Sequence, residues 1–460
     1  MKLSGSWMVF LAIITTGGLL VSLGSEIYPT WLLSAPVLFA FAGAAGAYSW
    51  SFGDTPGLTA MLAVSAIRYL VLPIWMLIEA GGPPSETVLA AERGWPLFLF
   101  EELFVVSAIW IAGARLRRTQ SQARDLRTDG RGDLIFWVVL AVGLAAALAE
   151  PTILDRYNSI FSDSPIVRTG DIEAGIGSIL FRWGKLVAFP LVVTVALKRA
   201  KSGSSLVWFT VSVVAMVATA SFYTGSSRQS AVFPAVAAVF LLIRAFPLHK
   251  RLTSFLGVAV LYFALVTSST QKFGDDYVDG IGSGTLQAYF NGPSNLGLSL
   301  DMGRAFGEHA TLKNLYNDIF ASVPLVPVDL EQRTVVFYNY TVYGGGVSQD
   351  QIIPFTGQVA FYGSWVALPI VIFALFALIV HFDKQFANTR QPVGCYFYAF
   401  SSVLLGVSFM LNLSIIMGYI SLTVIPALAM IWISRRRGRT QNPKAKIARN
   451  FRERSMAQSG

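Results

Sequence analysis

Windows of about twenty residues with almost no charge recur along most of this chain, each long enough to cross a hydrocarbon layer of ~30 Å as a helix. They lie at about 7–23, 30–50, 58–78, 95–114, 134–150, 178–197, 204–223, 229–246, 253–270, 358–380, 394–411 and 413–433. Only 13% of the 460 residues are charged, and the mean hydropathy is +0.57. A soluble domain is excluded. The expected fold class is an all-α polytopic membrane protein with about 12 transmembrane helices.

Twelve spans put both termini on one side, and the charges identify that side. "RLRRTQSQARDLRTDGR", "KRAKSG", "RAFPLHKR", "DKQFANTR" and the tail "RRRGRTQNPKAKIARNFRER" all fall on one face. By the positive-inside rule this face is cytoplasmic. The net charge of +9 is therefore a topology signal, and no nucleic acid is expected as a partner. The lipid bilayer is one, and the tail can touch anionic lipid. Cys395, the one cysteine, sits inside an apolar span and excludes an intrachain disulfide or a thiolate metal cluster. The first span reads as an anchor rather than a cleaved leader, because its apolar run is long and "VSLGSEIYP" is a poor cleavage site.

Four segments follow: residues 1–270, with nine spans and an outer loop at 151–177; a large outer loop, 271–357; three more spans within 358–433; and a basic cytoplasmic tail, 434–460. The large loop is unlike a linker, since it carries Tyr289, Phe290, Phe306, Tyr316 and Phe320 between Gly and Pro punctuation. "SNLGLSLDMGRAFGEH" and "LKNLYNDIFASV" have apolar residues at helical spacing. They are expected to form short amphipathic helices on the outer membrane surface, within a packed lid.

Charges on the outer side carry the chemistry. Arg228 stands in the polar turn "TGSSRQS" at the start of the eighth span. The positive-inside rule disfavours it there, and a cation at the positive end of a helix is poorly placed unless an anion comes to it. In "SILFRWGKLVAF", Arg182 lies about one turn into the sixth span and Lys185 three residues deeper on the same face. Such residues face a watery cavity, a counter-charge or, by snorkelling, the headgroups. Arg68, Glu101 and Glu102 fall mid-span and read as an interhelical ion pair that fixes packing, with a proton or ion path as the alternative.

No nucleotide-binding loop is present, so a bond-forming reaction outside needs a substrate that arrives already activated. A lipid-linked diphosphate fits, because preorganised Arg or Lys stabilises charge on its departing oxygen, and Arg can grip two oxygens at once. Among the histidines only His309 falls outside, and Asp275, Asp276 and Asp279 in "DDYVD" lack a ligand frame. No metal is expected. Asp301, Glu308 and His309, with Arg304 beside them, are the candidate proton acceptors. The spacing of Asp301, Arg304 and Glu308 suits an ordinary ion-pair ladder equally well.

Three features together resemble the Wzy-type oligosaccharide repeat-unit polymerases, relatives of the O-antigen ligases. They are "TGSSRQSAVFPAVAAVFLL", the large outer loop after the next span, and "FYNYTVYGGGVSQDQIIPFTGQVAFYGSWVALPIVIFALFALIVHFD", which ends near Asp383. The likeness covers roughly 219–385, and Val239 stands where some members have a glycine. The resemblance implies a glycosyltransferase C-like enzyme of the bacterial inner membrane, working without metal or other cofactor. Such an enzyme moves a growing glycan from its undecaprenyl diphosphate onto a new lipid-linked oligosaccharide repeat unit, and a chain-length regulator protein is a further partner. Arg228 matches the arginine of the family's Gly-Ser-Arg turn.

On this reading Arg228, Arg182 and Lys185 hold the donor diphosphate. Arg304, Arg333, Tyr338 and Tyr340, with Asp301 and His309, grip sugars or the second lipid head, aromatic faces meeting sugar rings. Displacement at the anomeric carbon would be direct, with inversion. Two alternatives stay open. One is a ligase passing finished glycan to an acceptor, for which His309 beside Arg304 speaks. The other is a transporter or flippase, for which Arg68, Glu101 and Glu102 speak.

Overall fold

The computed structural model describes residues 30–40, 54–78, 86–119, 126, 133–159, 175–201, 203–224, 229–259, 287, 289–323, 326–344 and 351–440. Its helices, in chain order, are α1 (Ser34–Leu38), α2 (Pro56–Ala66), α3 (Leu72–Ile78), α4 (Glu86–Thr119) and α5 (Leu134–Ala149). Next come α6 (Ile176–Ala200), α7 (Ser205–Ser221), α8 (Gln229–Ala245), α9 (Pro293–Ala305) and α10 (Leu312–Phe320). The last are α11 (Thr334–Tyr343), α12 (Phe355–Asn388), α13 (Pro392–Gly406), α14 (Leu413–Tyr419) and α15 (Ile425–Thr440). A π turn, Ile67–Val71, joins α2 to α3. The described chain is all-helical as expected, apart from one short antiparallel ribbon in which β1 (Tyr157–Ser159) pairs with β2 (Phe222–Thr224).

Among the described residues five helical stretches are long and apolar enough to cross a membrane: Pro56–Leu77, Leu89–Gly113, Ile176–Ala200, Phe355–Asn388 and Leu413–Arg436. A sixth arises if α8 and Pro247–Ala259, bent by 114° between them, form one span. The expected count of about twelve is not reached there. The window 7–23, residues 41–50 of the window 30–50 and residues 260–270 of the window 253–270 lie outside the described residues. Three further windows hold helices that stop early. These are α5, α7 and α13, with 16, 17 and 15 residues. At ~1.5 Å per residue such a helix falls short of a ~30 Å core. Hydropathy alone cannot see these stops: Glu150–Pro151 ends α5 and the ribbon ends α7.

The chain forms two compact units that are interleaved along the sequence rather than consecutive. The first comprises 1–124, 261–389 and 398–421, and the second 125–260, 390–397 and 422–460.

In the first unit α2, α4, α9 and α12 share a core that includes Leu58, Phe98, Ile109, Leu296, Leu368 and Ile379. α4 and α9 cross backbone to backbone. A methyl added at Gly94 would sit 2.0 Å from the Pro293 carbonyl, and one at Gly297 would sit 1.8 Å from that of Ala90. Only glycine admits that approach. The segment expected to lie on the membrane surface is thus keyed into the core, with Leu296, Ser299 and Met302 buried. α10 does begin as its sequence suggests, with the Thr311 hydroxyl accepting from the Asn314 N–H at 3.2 Å. Asp383 near the end of α12 accepts from Gly57 N at 2.9 Å and Leu58 N at 3.1 Å, a carboxylate at the positive end of α2. α12 is broken at Ser364, whose φ of 59° and ψ of 177° belong to a region that side chains other than glycine's strain to enter.

In the second unit α5 packs on α6, α6 on α7 and α7 on α8. The first contact is again a glycine pair, for a methyl on Gly143 would lie 2.8 Å from Gly184 Cα. Phe189, Leu191 and Val193 of α6 are buried, as are Phe209, Leu241 and Leu242.

Candidate functional site

The second unit holds two of the three cations assigned to the diphosphate. Arg182 and Lys185 lie one turn apart on α6, both half-buried. The Arg182 guanidinium donates to Thr423 Oγ1 at 3.3 Å, and the neighbouring Trp183 Nε1 donates to the Leu422 carbonyl at 2.6 Å. Lys185 Nζ stands 5.2 Å from the centre of the Tyr157 ring, a cation–π distance. That ring is held edge-on by Phe181, with centroids 5.0 Å apart. Among the described residues Lys185 makes no ion pair with a carboxylate.

The ribbon gives this pair of cations a geometry that the sequence did not announce. Tyr157 pairs with Thr224, so the strand ending four residues before Arg228 lies beside the ring that Lys185 covers. Arg228 itself lies outside the described residues.

The first unit holds the residues assigned to sugars, and it brings only some of them together. Asp301 Oδ2 accepts from Arg93 Nη2 at 2.7 Å and Nε at 3.0 Å, and Oδ1 accepts from Arg304 at 3.3 Å. The Asp301–Arg304 step of the expected ladder is present, Arg93 binds Asp301 more closely, and Glu308 lies against His309 instead. Arg304 is largely exposed and lines a cavity of about 330 Å³ with Ser299, Gly303, Phe361 and Trp365, next to the break at Ser364. His309 stacks on Phe337 at 4.7 Å, with its Nε2 3.6 Å from Glu308. Tyr340 is exposed. Arg333 Nε donates to the Leu330 carbonyl at 2.9 Å. Burial lowers its pKa, and nearby Asp318 opposes that shift. Tyr338 corrects its assignment: it is 1% exposed, with its hydroxyl 3.5 Å from the Asn295 carbonyl. Its ring belongs to the core and offers no face to a sugar.

Sequence reasoning missed Asp318. This buried carboxylate accepts from Thr334 Oγ1 at 2.5 Å, Gln358 Nε2 at 2.7 Å and Tyr362 OH at 2.8 Å on one oxygen. Its other oxygen accepts from Thr334 N at 3.1 Å. Gln358 Oε1 in turn accepts from Leu413 N at 2.8 Å, so the network ties α10, α11, α12 and α14 together. Burial pushes the Asp318 pKa up, and the four donors pull it back only in part. Its partners lie 16, 40 and 44 residues away, which no local pattern reveals.

The mid-span charges form the ion pair read from the sequence. Arg68 Nη1 is 2.9 Å from Glu101 Oε1, which also accepts from the Tyr69 hydroxyl. Among the described residues no group of three His, Cys, Asp or Glu side chains is placed to hold a metal ion. Comparison with family models, curated proteins and solved structures finds no match for the chain.

Proposed function

We propose that the chain is a glycan polymerase of the bacterial inner membrane, with about twelve spans, a glycosyltransferase C-like architecture and both termini in the cytoplasm. It joins oligosaccharide repeat units carried on undecaprenyl diphosphate at the outer face. The observation that carries this reading is Lys185, an ammonium on an apolar helix beside Arg182 that, among the described residues, meets an aromatic ring rather than a carboxylate. An anionic substrate completes such a site. Lys185 and Arg182, joined by Arg228, hold the diphosphate and stabilise the charge that develops as it leaves. Arg304 and the aromatic cavity of the first unit suit a sugar or a second lipid head.

A transporter of lipid-linked oligosaccharide is the second reading. The break at Ser364 within an apolar helix favours it, because discontinuous helices mark binding sites in transporters. Purified protein in liposomes, supplied with undecaprenyl-diphosphate-linked repeat units, separates the two. A polymerase yields a ladder of longer glycans on the carrier, whereas a transporter moves the units across without lengthening them. Transfer of intact glycan to a different acceptor, with no ladder, would identify a ligase.

A further inference from the structure

Glu102, next to the ion pair in α4, has no part in the reading above. It is 0% exposed, and among the described residues neither carboxylate oxygen has a hydrogen-bond partner. The backbone N–H of Phe39 lies toward it but already donates to the Ala35 carbonyl. The charged groups acting on it are Glu101 and Arg68. Glu101 takes the Arg68 charge at 2.9 Å and the Tyr69 hydroxyl as well. Arg68 is further boxed by the rings of Tyr69, Phe98 and Phe409 at 5.5, 5.6 and 5.7 Å. Of the helices packed on α4, α9 brings Asp301, which is bound to Arg93 nine residues along from Glu102.

The cluster thus counts two carboxyls against one guanidinium, all within an apolar stretch that includes Leu97, Val105 and Ile109. Among the described residues a second full negative charge there would have no donor of its own and only a guanidinium shared with Glu101, an arrangement that burial makes costly. A hard metal cation would need a shell of oxygen ligands. The neighbours on offer are a guanidinium, aromatic rings and a carboxylate already engaged.

We propose that Glu102 is a proton-binding site within this apolar stretch. Its carboxyl carries a proton while the cluster is dry and sheds it in any state that admits water at this depth. The sign follows: deprotonation favours the hydrated state, so raising the pH favours opening around α4. The proposal holds whether or not the chain polymerises glycan.

The test uses the full-length protein in detergent micelles and the apolar reagent dicyclohexylcarbodiimide. A protonated carboxyl adds across one C=N bond, its proton passing to nitrogen, and an acyl shift from oxygen to nitrogen leaves a stable N-acylurea. Peptide mass spectrometry should find this adduct on Glu102 at neutral pH, decreasing as the pH is raised, and unchanged when sodium chloride replaces choline chloride. Failure to label Glu102 would overturn the proposal, and protection by sodium would assign the site to that ion instead. Glu102→Gln, a neutral isostere, should lose the adduct and unfold at the wild-type temperature. Unfolding at a clearly lower temperature, matching Glu101→Gln, would show that Glu102 is charged and sink the idea.

Discussion

The two units bury their cations on opposite terms. In the first, Arg68 meets Glu101 at 2.9 Å, and both are almost wholly buried. In the second, Lys185 meets the Tyr157 ring and Arg182 meets a hydroxyl. A charge at the centre of a span costs about 2.5–3.5 kcal/mol on insertion scales, and a desolvated cation–π contact returns about 2 kcal/mol. The first arrangement is closed, since its positive charge is already answered within the protein. The second shows no carboxylate on Lys185 among the described residues, and on the proposed function it is a phosphate that answers the ammonium. A charge inside an apolar helix therefore says little about function until its partner is known.

The widest separation between the two should come from removing one member of each. Glu101→Gln removes the carboxylate that Arg68 meets at 2.9 Å and leaves only Glu102, which would have to ionise in a dry site to replace it. Stability should therefore fall by up to about 3–5 kcal/mol, read as a drop in the unfolding temperature in detergent. Wild-type stability would break the contrast at its closed end. Arg182→Ala should leave the unfolding temperature nearly unchanged and lower polymer yield by about 10²–10³-fold, the typical loss when one preorganised charge donor is removed. Full chain length in that variant would show that the open end of the comparison binds no substrate.

The sequence revealed the closed arrangement more fully than the open one. Arg68 stands alone in its apolar window and Glu101 and Glu102 stand together in theirs, and one buried cation facing two buried carboxyls has few ways to be satisfied except by one of them. Arg182 and Lys185 were legible as a cationic face because their spacing is local. Their neighbour Tyr157 was not, because a three-residue ribbon pairing Tyr157 with Thr224 leaves no periodicity to read. Helices α9 and α10 were visible in their spacing. The burial of α9 was hidden, because it depends on Gly94 and Gly297 meeting across about two hundred residues of sequence. The break at Ser364 was invisible for a different reason: nothing in "FYGSWVAL" requires a non-glycine residue to take a positive φ.

Asp318 tests whether a buried carboxylate can be settled by neutral donors instead of a cation. Asp318→Asn replaces an oxygen facing Thr334, Gln358 and Tyr362 with an amide that cannot accept from them, and should cost about 1–3 kcal/mol. The pH dependence has a definite sign. With the folded pKa raised above the unfolded value, this group's contribution is complete below the unfolded pKa and is lost as the pH rises through the folded one. Thermal unfolding across the acidic range should show that slope in the wild type and not in the variant. A slope that persists in Asp318→Asn would assign it to another carboxylate.

The smallest effect probes the ring beneath Lys185. Tyr157→Leu keeps an apolar body but removes the quadrupole facing the ammonium, so stability should fall by only about 0.5–2 kcal/mol. The informative readout is activity at saturating substrate. If a bound diphosphate displaces the ring as the partner of Lys185, the variant should bind substrate at least as tightly as the wild type and still reach the wild-type maximal rate, because losing the ring then costs the free protein and not the occupied one. A fall in maximal rate with affinity unchanged would instead make the ring part of the machinery that stabilises the departing phosphate. The two units would then differ in the chemistry they do, beyond the way they neutralise charge.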